Sequence, residues 1–303
     1  MQTNNKKKDH KQKLVPLGLK KVRRVVRTGI IRTDTALEQN VDDDWVIEEQ
    51  AIALIYNGIS HAVMMATPCN LLDFAIGFSL SEGIINQPKD ILEHNIVATE
   101  QGIEVQLSIS SRQFAALKNK RRSLLGNSGC GLCGVESLAQ TVKTREKLPI
   151  TELLAFSVVS QAVSELKQKQ QLNEYSGAVH AAAFCCRDSG KILHIREDVG
   201  RHNALDKLLG AMAQQKPQKK PQQNPQQQTL EQADNTVQGI NNGFILVSSR
   251  ASYEMVDKTI AAGIHHLVSI SAATSKAIEW AEQHQLNLIG FAREQRHLVY
   301  NRK

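Results

Sequence analysis

The chain has no run of apolar residues approaching the ~18 that a membrane-spanning helix requires, and the stretch after its basic start, Leu14 to Leu19, is short and broken by Pro16 and Gly18. The expectation is therefore a soluble protein of the cytoplasm. Cysteine is scarce and odd in number, five in 303 residues, which argues against a disulfide framework. There is no second Cys-x-x-Cys and no His-x(3–5)-His, so the one Cys-x-x-Cys lacks the further ligands of a structural zinc site. The spacing of a zinc deaminase is missing as well, because Gly129 stands where its proline would be and no His-x-Glu precedes it. A net basic excess is also missing once the start is set aside. Residues 1–27 hold ten basic residues against Asp9 alone, a balance of +9 out of a total of +7, so the rest of the chain is near −2. A tail with that excess does not make the folded body a nucleic-acid binder, and neither nucleic acid nor membrane is expected as a partner.

What is present suffices for about two folded units: 303 residues, 41% of them apolar. Residues 1–44 read as a basic flexible tail, with a short strand at 22–31. Residues 45–120 read as a small α+β unit. In it a hairpin turns at Asn57-Gly58, a helix runs from Leu71 to Gly83, and Ile103-Glu-Val105-Gln-Leu107-Ser-Ile109 alternates as a half-buried strand. Residues 121–303 alternate short apolar runs with helical periods, which predicts a mostly parallel, helix-covered sheet. Residues 214–238 interrupt it with ten Gln and three Pro in twenty-five positions and read as a disordered surface insertion.

Two stretches carry chemistry. In Gly129-Cys-Gly-Leu-Cys-Gly134 two thiols lie three residues apart among glycines, and a helix expected near Val135 favours the thiolate, the reactive form of sulfur. A thioredoxin-like redox use of the same pair stays open at this point. Cys69, Cys185 and Cys186 read as small buried hydrophobes. The second stretch, Arg196-Glu-Asp-Val-Gly200-Arg201-His202-Asn203-Ala-Leu-Asp206-Lys207, crowds polar groups where a helix begins, a place suited to an anion. His180, on a strand of small residues, and the turns at Ser248-Ser249-Arg250 and Ser271-Ala-Ala-Thr274 are expected to converge with it on one sheet edge, where open α/β sheets bind ligands.

Together with Asn57-Gly-Ile-Ser-His-Ala-Val-Met-Met-Ala-Thr-Pro68, Asp73-Phe-Ala-Ile-Gly-Phe-Ser-Leu-Ser-Glu-Gly83, Val179-His-Ala-Ala-Ala183 and Val247-Ser-Ser-Arg-Ala-Ser-Tyr-Glu-Met255, these stretches resemble the formate dehydrogenase accessory sulfurtransferase family, FdhD, from about Trp45 to Tyr300. The resemblance implies a cytidine-deaminase-like three-layer α/β core with a smaller N-terminal α+β unit, in a homodimeric sulfur carrier. It implies persulfide sulfur taken from a cysteine desulfurase and passed to the molybdenum bis(molybdopterin guanine dinucleotide) cofactor, bound as cargo and destined for formate dehydrogenase. The persulfide cysteine corresponds to Cys130 and its companion to Cys133, and no resident metal is implied. The cofactor-binding stretch falls on Phe291, Ala292, Arg293, Glu294, Gln295 and Arg296, and we add His180, Arg201, His202, Asn203, Ser249 and Arg250 as expected contacts. The Gln-rich insertion, Ala273 where proline is common, and Cys69-Asn70 where an acid is common depart from the pattern without touching the cysteine pair. Two other readings remain: a molybdenum-cofactor chaperone without sulfur transfer, and a zinc-dependent nucleobase deaminase.

Overall fold

The structure, a computed structural model, describes residues 17–29, 36–125, 144–215 and 242–300. Cys130, Cys133, the helix expected near Val135 and nearly all of the Gln-rich insertion lie outside them.

The small unit is a four-stranded sheet in the order β4-β3-β6-β5, built from β3 (Gln50–Tyr56), β4 (Ile59–Ala66), β5 (Ile91–Thr99) and β6 (Gly102–Ile109). Asn57 and Gly58 join β3 to β4 with φ of 46° and 80°, the left-handed pair that a two-residue hairpin needs. The alternation read at 103–109 is real: Val105, Leu107 and Ile109 are buried on one face, together with Ile52, Leu54 and Tyr56. Helix α1 (Leu71–Ser81) covers that face, and α2 (Ser111–Leu125) adds Leu117 to the same core. Because α2 runs to residue 125, it crosses the boundary expected at 120.

The larger unit has six strands in the order β12-β11-β10-β9-β7-β8. They are β7 (His180–Cys186), β8 (Ile192–Asp198), β9 (Gly243–Val247), β10 (His266–Ser269), β11 (Asn287–Arg293) and β12 (Arg296–Val299). Helices α3 (Phe156–Lys169) and α4 (Gln171–Ser176) precede the sheet in sequence, and α3 packs on one face with Val159, Ala162 and Val163. On the other face lie α5 (Arg201–Ala213), α6 (Tyr253–Ala261) and α7 (Ser275–Gln283). The sheet thus lies between two helical layers.

The expectation of a mostly parallel sheet is corrected. Only β9-β10 and β10-β11 are parallel; β7-β8, β7-β9 and β11-β12 are antiparallel. A parallel neighbour requires a crossover of a dozen or more residues, whereas five residues join β7 to β8 and two join β11 to β12. The stretch read as a flexible tail is corrected in part: β1 (Leu19–Gly29) and β2 (Ala36–Ile47) pair as an antiparallel ribbon. Its register sets Arg23 opposite Asp43 and Arg24 opposite Asp42, so the basic run meets the acidic run that follows it.

The two units meet helix to helix. A Cβ added at Gly77 of α1 would lie 1.8 Å from the Asp206 carbonyl oxygen of α5, and one at Gly210 would lie 1.9 Å from that of Asp73. No other residue type permits backbones this close.

Candidate functional site

The carboxyl ends of β8, β9, β10 and β11 and the start of β7 share one edge of the large sheet. There His180 stands opposite Asp198 in register, and Gly200 leads into α5 with Arg201, His202 and Asn203 in its first turn. The turn after β9 carries Ser249 and Arg250, and the turn after β10 leads to Thr274, which caps α7 by accepting from the Ala277 N–H. Three helices of nine residues or more, α5, α6 and α7, therefore begin at this edge, and each directs its first turn and the positive end of its dipole there.

These turns are tied to one another by hydrogen bonds. The Ala251 N–H donates to the Ala272 carbonyl at 3.0 Å, and the Thr274 N–H donates to that of Ala251 at 3.0 Å. The buried Ser269 hydroxyl lies 2.8 Å from the Ser249 carbonyl and 2.9 Å from that of Ser271. The Phe291 N–H reaches the Ser271 carbonyl at 2.9 Å, with Phe291 itself left-handed at φ 49° and its ring partly exposed.

Asp198 fixes the other side. Its Oδ1 accepts from Gly200 N at 2.8 Å and Asn203 Nδ2 at 3.0 Å, and its Oδ2 from Thr67 N at 3.0 Å and the Lys207 ammonium at 2.6 Å. Asp198 and Lys207 are both fully buried, so the carboxylate has exchanged water for four donors, including two backbone amides. Thr67 belongs to the small unit, which makes the site a junction. Asn203 closes it by donating also to the Met65 carbonyl at 2.9 Å.

The basic groups differ in what they leave free. The Nε of Arg201 is buried without a hydrogen-bond partner among the described residues, while Arg250 is exposed. His202 Nε2 lies 2.6 Å from Glu254 and 3.4 Å from the Ser252 hydroxyl. Burial, and then the neighbouring Arg201, holds the His180 imidazole below the ordinary histidine range. Burial also lowers His202, against the opposing pull of Glu254.

The expected cofactor-binding stretch divides. Ala292 is fully buried in the core, and Glu294 turns to α3, where it pairs with Lys167 and its carbonyl accepts from Ser160. Arg293 hydrogen-bonds the Ile270 carbonyl, and Arg296 stands directly opposite it across β11 and β12. Gln295 is exposed in the intervening turn. His180, Arg201, His202, Asn203 and Ser249 are gathered at the edge, but the Asn203 amide is spent on the junction and the Ser249 hydroxyl on the carbonyl of Arg250. Asp198, Lys207, Thr67, Ser252 and Glu254 all stand within the motif stretches, but residue type alone assigns them no role there. Of the remaining thiols, Cys185 is buried, while Cys69 and Cys186 are partly exposed. Among the described residues no group of three or more His, Cys, Asp and Glu is arranged to hold a metal ion, and no helix is long and apolar enough to cross a membrane.

The family model described as the FdhD/NarQ family matches residues 47–303. The chain belongs to this family. It is 45% identical over 263 residues to the sulfur carrier protein FdhD of Cupriavidus necator, covering 87% of this chain and 84% of the relative. A solved structure described as a formate dehydrogenase accessory protein, from Desulfotalea psychrophila, superposes with a TM-score of 0.63 at 20% identity, over 95% of this chain and 98% of the other. That likeness supports the mixed α/β fold. A protein solved with 2,6-diaminopurine aligns over 53% of this chain and 84% of the other, with 12% identity and a TM-score of 0.29.

Proposed function

We propose that this protein is a sulfur carrier serving formate dehydrogenase: it takes persulfide sulfur from a cysteine desulfurase onto Cys130 and delivers it to the molybdenum bis(molybdopterin guanine dinucleotide) cofactor. The observation that carries this reading is the 45% identity to a sulfur carrier protein across nearly the whole of both chains, with Cys130 and Cys133 inside the family match. In the loading step the Cys130 thiolate attacks the outer sulfur of the donor persulfide. A sulfur–sulfur bond forms to Cys130, the bond to the donor cysteine breaks, and the donor leaves as a thiolate that takes up a proton.

The edge described above fits a cargo rich in phosphate oxygens. Arg201 has an unused donor, Arg250 is exposed, Arg293 and Arg296 oppose one another, and three helix starts add positive potential. Two like charges directly opposite repel, although Arg293 also donates to the Ile270 and Ala292 carbonyls, and a pyrophosphate between them relieves that repulsion. Holding the cargo here confers proximity, so the transfer becomes effectively unimolecular.

The test is intact-mass spectrometry after incubation with a desulfurase and cysteine, with and without reductant. A reductant-sensitive gain of one sulfur in the wild type, lost in Cys130→Ala, is expected. Full loading of that variant overturns the assignment of Cys130. Rescue of formate dehydrogenase by a double Cys130/Cys133 alanine variant would favour a cofactor chaperone without sulfur transfer.

A further inference from the structure

At the far end of α1 from the edge just described, a groove of about 570 Å³ opens between α2 and the turn at residues 82–92. Its walls include Leu92, 66% exposed, together with Ala116 and Leu117 of α2. Four charged residues line it, and they are not equivalent. The Asp90 carboxylate is occupied by the Asn86 and Gln87 N–H groups and the Gln87 side chain, and Glu82 lies 3.5 Å from the Lys258 ammonium. Lys89 and Arg112 make no ion pair among the described residues. Beyond the groove α2 continues with Lys118, whose ammonium rests 4.8 Å from the Phe114 ring, and with Lys120, Arg121 and Arg122; the helix holds no acid in its fifteen residues.

The groove also lies beside both points from which the Cys130 stretch departs. One is the end of α2, eight residues or about 12 Å of helix beyond Leu117. The other is Arg145, whose guanidinium donates to the Ser81 carbonyl and pairs with Asp257, next to Glu82 in the groove wall. The eleven residues of α1, about 16 Å, separate this groove from Thr67 at the sheet edge.

We propose that this groove docks an acidic segment of the protein that donates sulfur, with an apolar side chain seated against Leu92, Ala116 and Leu117 and carboxylates on Lys89, Arg112 and Lys118. The proposal rests on the sulfur-carrier reading. The donor occupies it rather than the cofactor because the anion-holding groups already described lie at the opposite end of α1. The occupant is protein rather than nucleic acid because the groove combines an apolar floor with few cations and lacks an exposed aromatic ring on which a base could stack.

The experiment uses the full chain as wild type, as the double variant Lys89→Glu/Arg112→Glu, and as Leu92→Ser, with a cysteine desulfurase and cysteine. Loading rates are measured at about 50 mM and about 500 mM salt, and desulfurase affinity is measured by calorimetry on each form carrying Cys130→Ala, which removes transfer but not docking. Charge reversal is expected to slow loading about ten-fold at low salt and little at high salt, and to flatten the salt dependence. Leu92→Ser is expected to weaken affinity several-fold at both salts, with unchanged thermal melting. Wild-type affinity and loading in both variants would overturn the groove, as would absence of desulfurase binding by the wild type. Binding that depends on the groove but transfers no sulfur would instead overturn the sulfur-carrier reading and leave the groove standing. Tighter, groove-dependent binding of a twenty-nucleotide single strand, used as a control, would overturn the choice of a protein partner.

Discussion

Helix α1 is joined to the large unit at both ends by a buried aspartate–lysine pair, but the two joints differ in kind. At the amino end Asp198 takes Lys207 and also the backbone N–H groups of Thr67 and Gly200. At the carboxyl end Asp206 takes Lys258 through both oxygens, at 2.9 and 3.0 Å, together with the Ser81 hydroxyl, so all its partners are side chains. Lys258 further lies 5.5 Å from the Phe78 ring. A carboxylate that holds amides fixes the path of the chain around it, whereas one that holds only side chains fixes how two helices sit together. The first joint belongs to the sheet edge with Arg201 and His202, and the second to the helix contact.

That difference can be broken by replacing each pair with apolar residues. Asp198→Leu with Lys207→Met is expected to cost roughly 3–6 kcal/mol in urea unfolding, because two buried N–H groups and the Asn203 amide lose their acceptor. A cost under about 1 kcal/mol would show that the amides do not matter. Lys258→Met alone is expected to cost about 3–5 kcal/mol by leaving Asp206 buried and unpaired, and adding Asp206→Leu should restore stability to within about 1 kcal/mol of wild type. Failure of the second substitution to compensate would make the two joints alike. Between them, Gly77→Ala places a methyl carbon on the Asp206 carbonyl and should cost about 1–3 kcal/mol as the helices part, seen as a lower midpoint with unchanged slope. The smallest effect concerns protons. The folded pKa values of His180 and His202 lie below the unfolded value, so each adds stability present above that value and lost as pH falls through the folded one. Proton NMR titration should find both below about 6.5, and either one above it would contradict the burial at this edge.

Local signals were plain in the sequence wherever one face of an element is wet or a turn demands a particular residue. The alternation from Ile103 to Ile109, the Asn57-Gly58 turn and the runs that became α3, α6 and α7 are of this kind. Helix α1 was legible as a helix but not as one enclosed on both sides, because Gly77 does not look like a core residue until α5 lies against it, nor Ser79 until its hydroxyl meets that of Tyr56. A short strand at 22–31 was legible within β1, but its pairing with β2 was not, because both strands are highly charged and only the register sets Arg23 and Arg24 opposite Asp43 and Asp42. Strand β12, four residues long, is too short to announce a period.

The candidate site divides in the same way. Residue types and their order marked the cysteine pair, the polar run from Arg196 to Lys207 and the serine turns, since each is contiguous and chemically unusual. Which of those groups are taken up by internal contacts was settled by the fold. Asn203, Ala292 and Glu294 are committed to the junction, the core and α3, while Arg201 keeps an unused donor. The sequence by itself determined most of the elements, the motifs and the family, because backbone periodicity and contiguous chemistry are local properties. Only the tertiary structure decided that Thr67 would meet Asp198 across 131 positions, and that a carboxylate quoted within a motif would serve as the buried acceptor joining two units. Hydrogen bonds between distant segments depend on where packing brings them, and no local pattern encodes that placement.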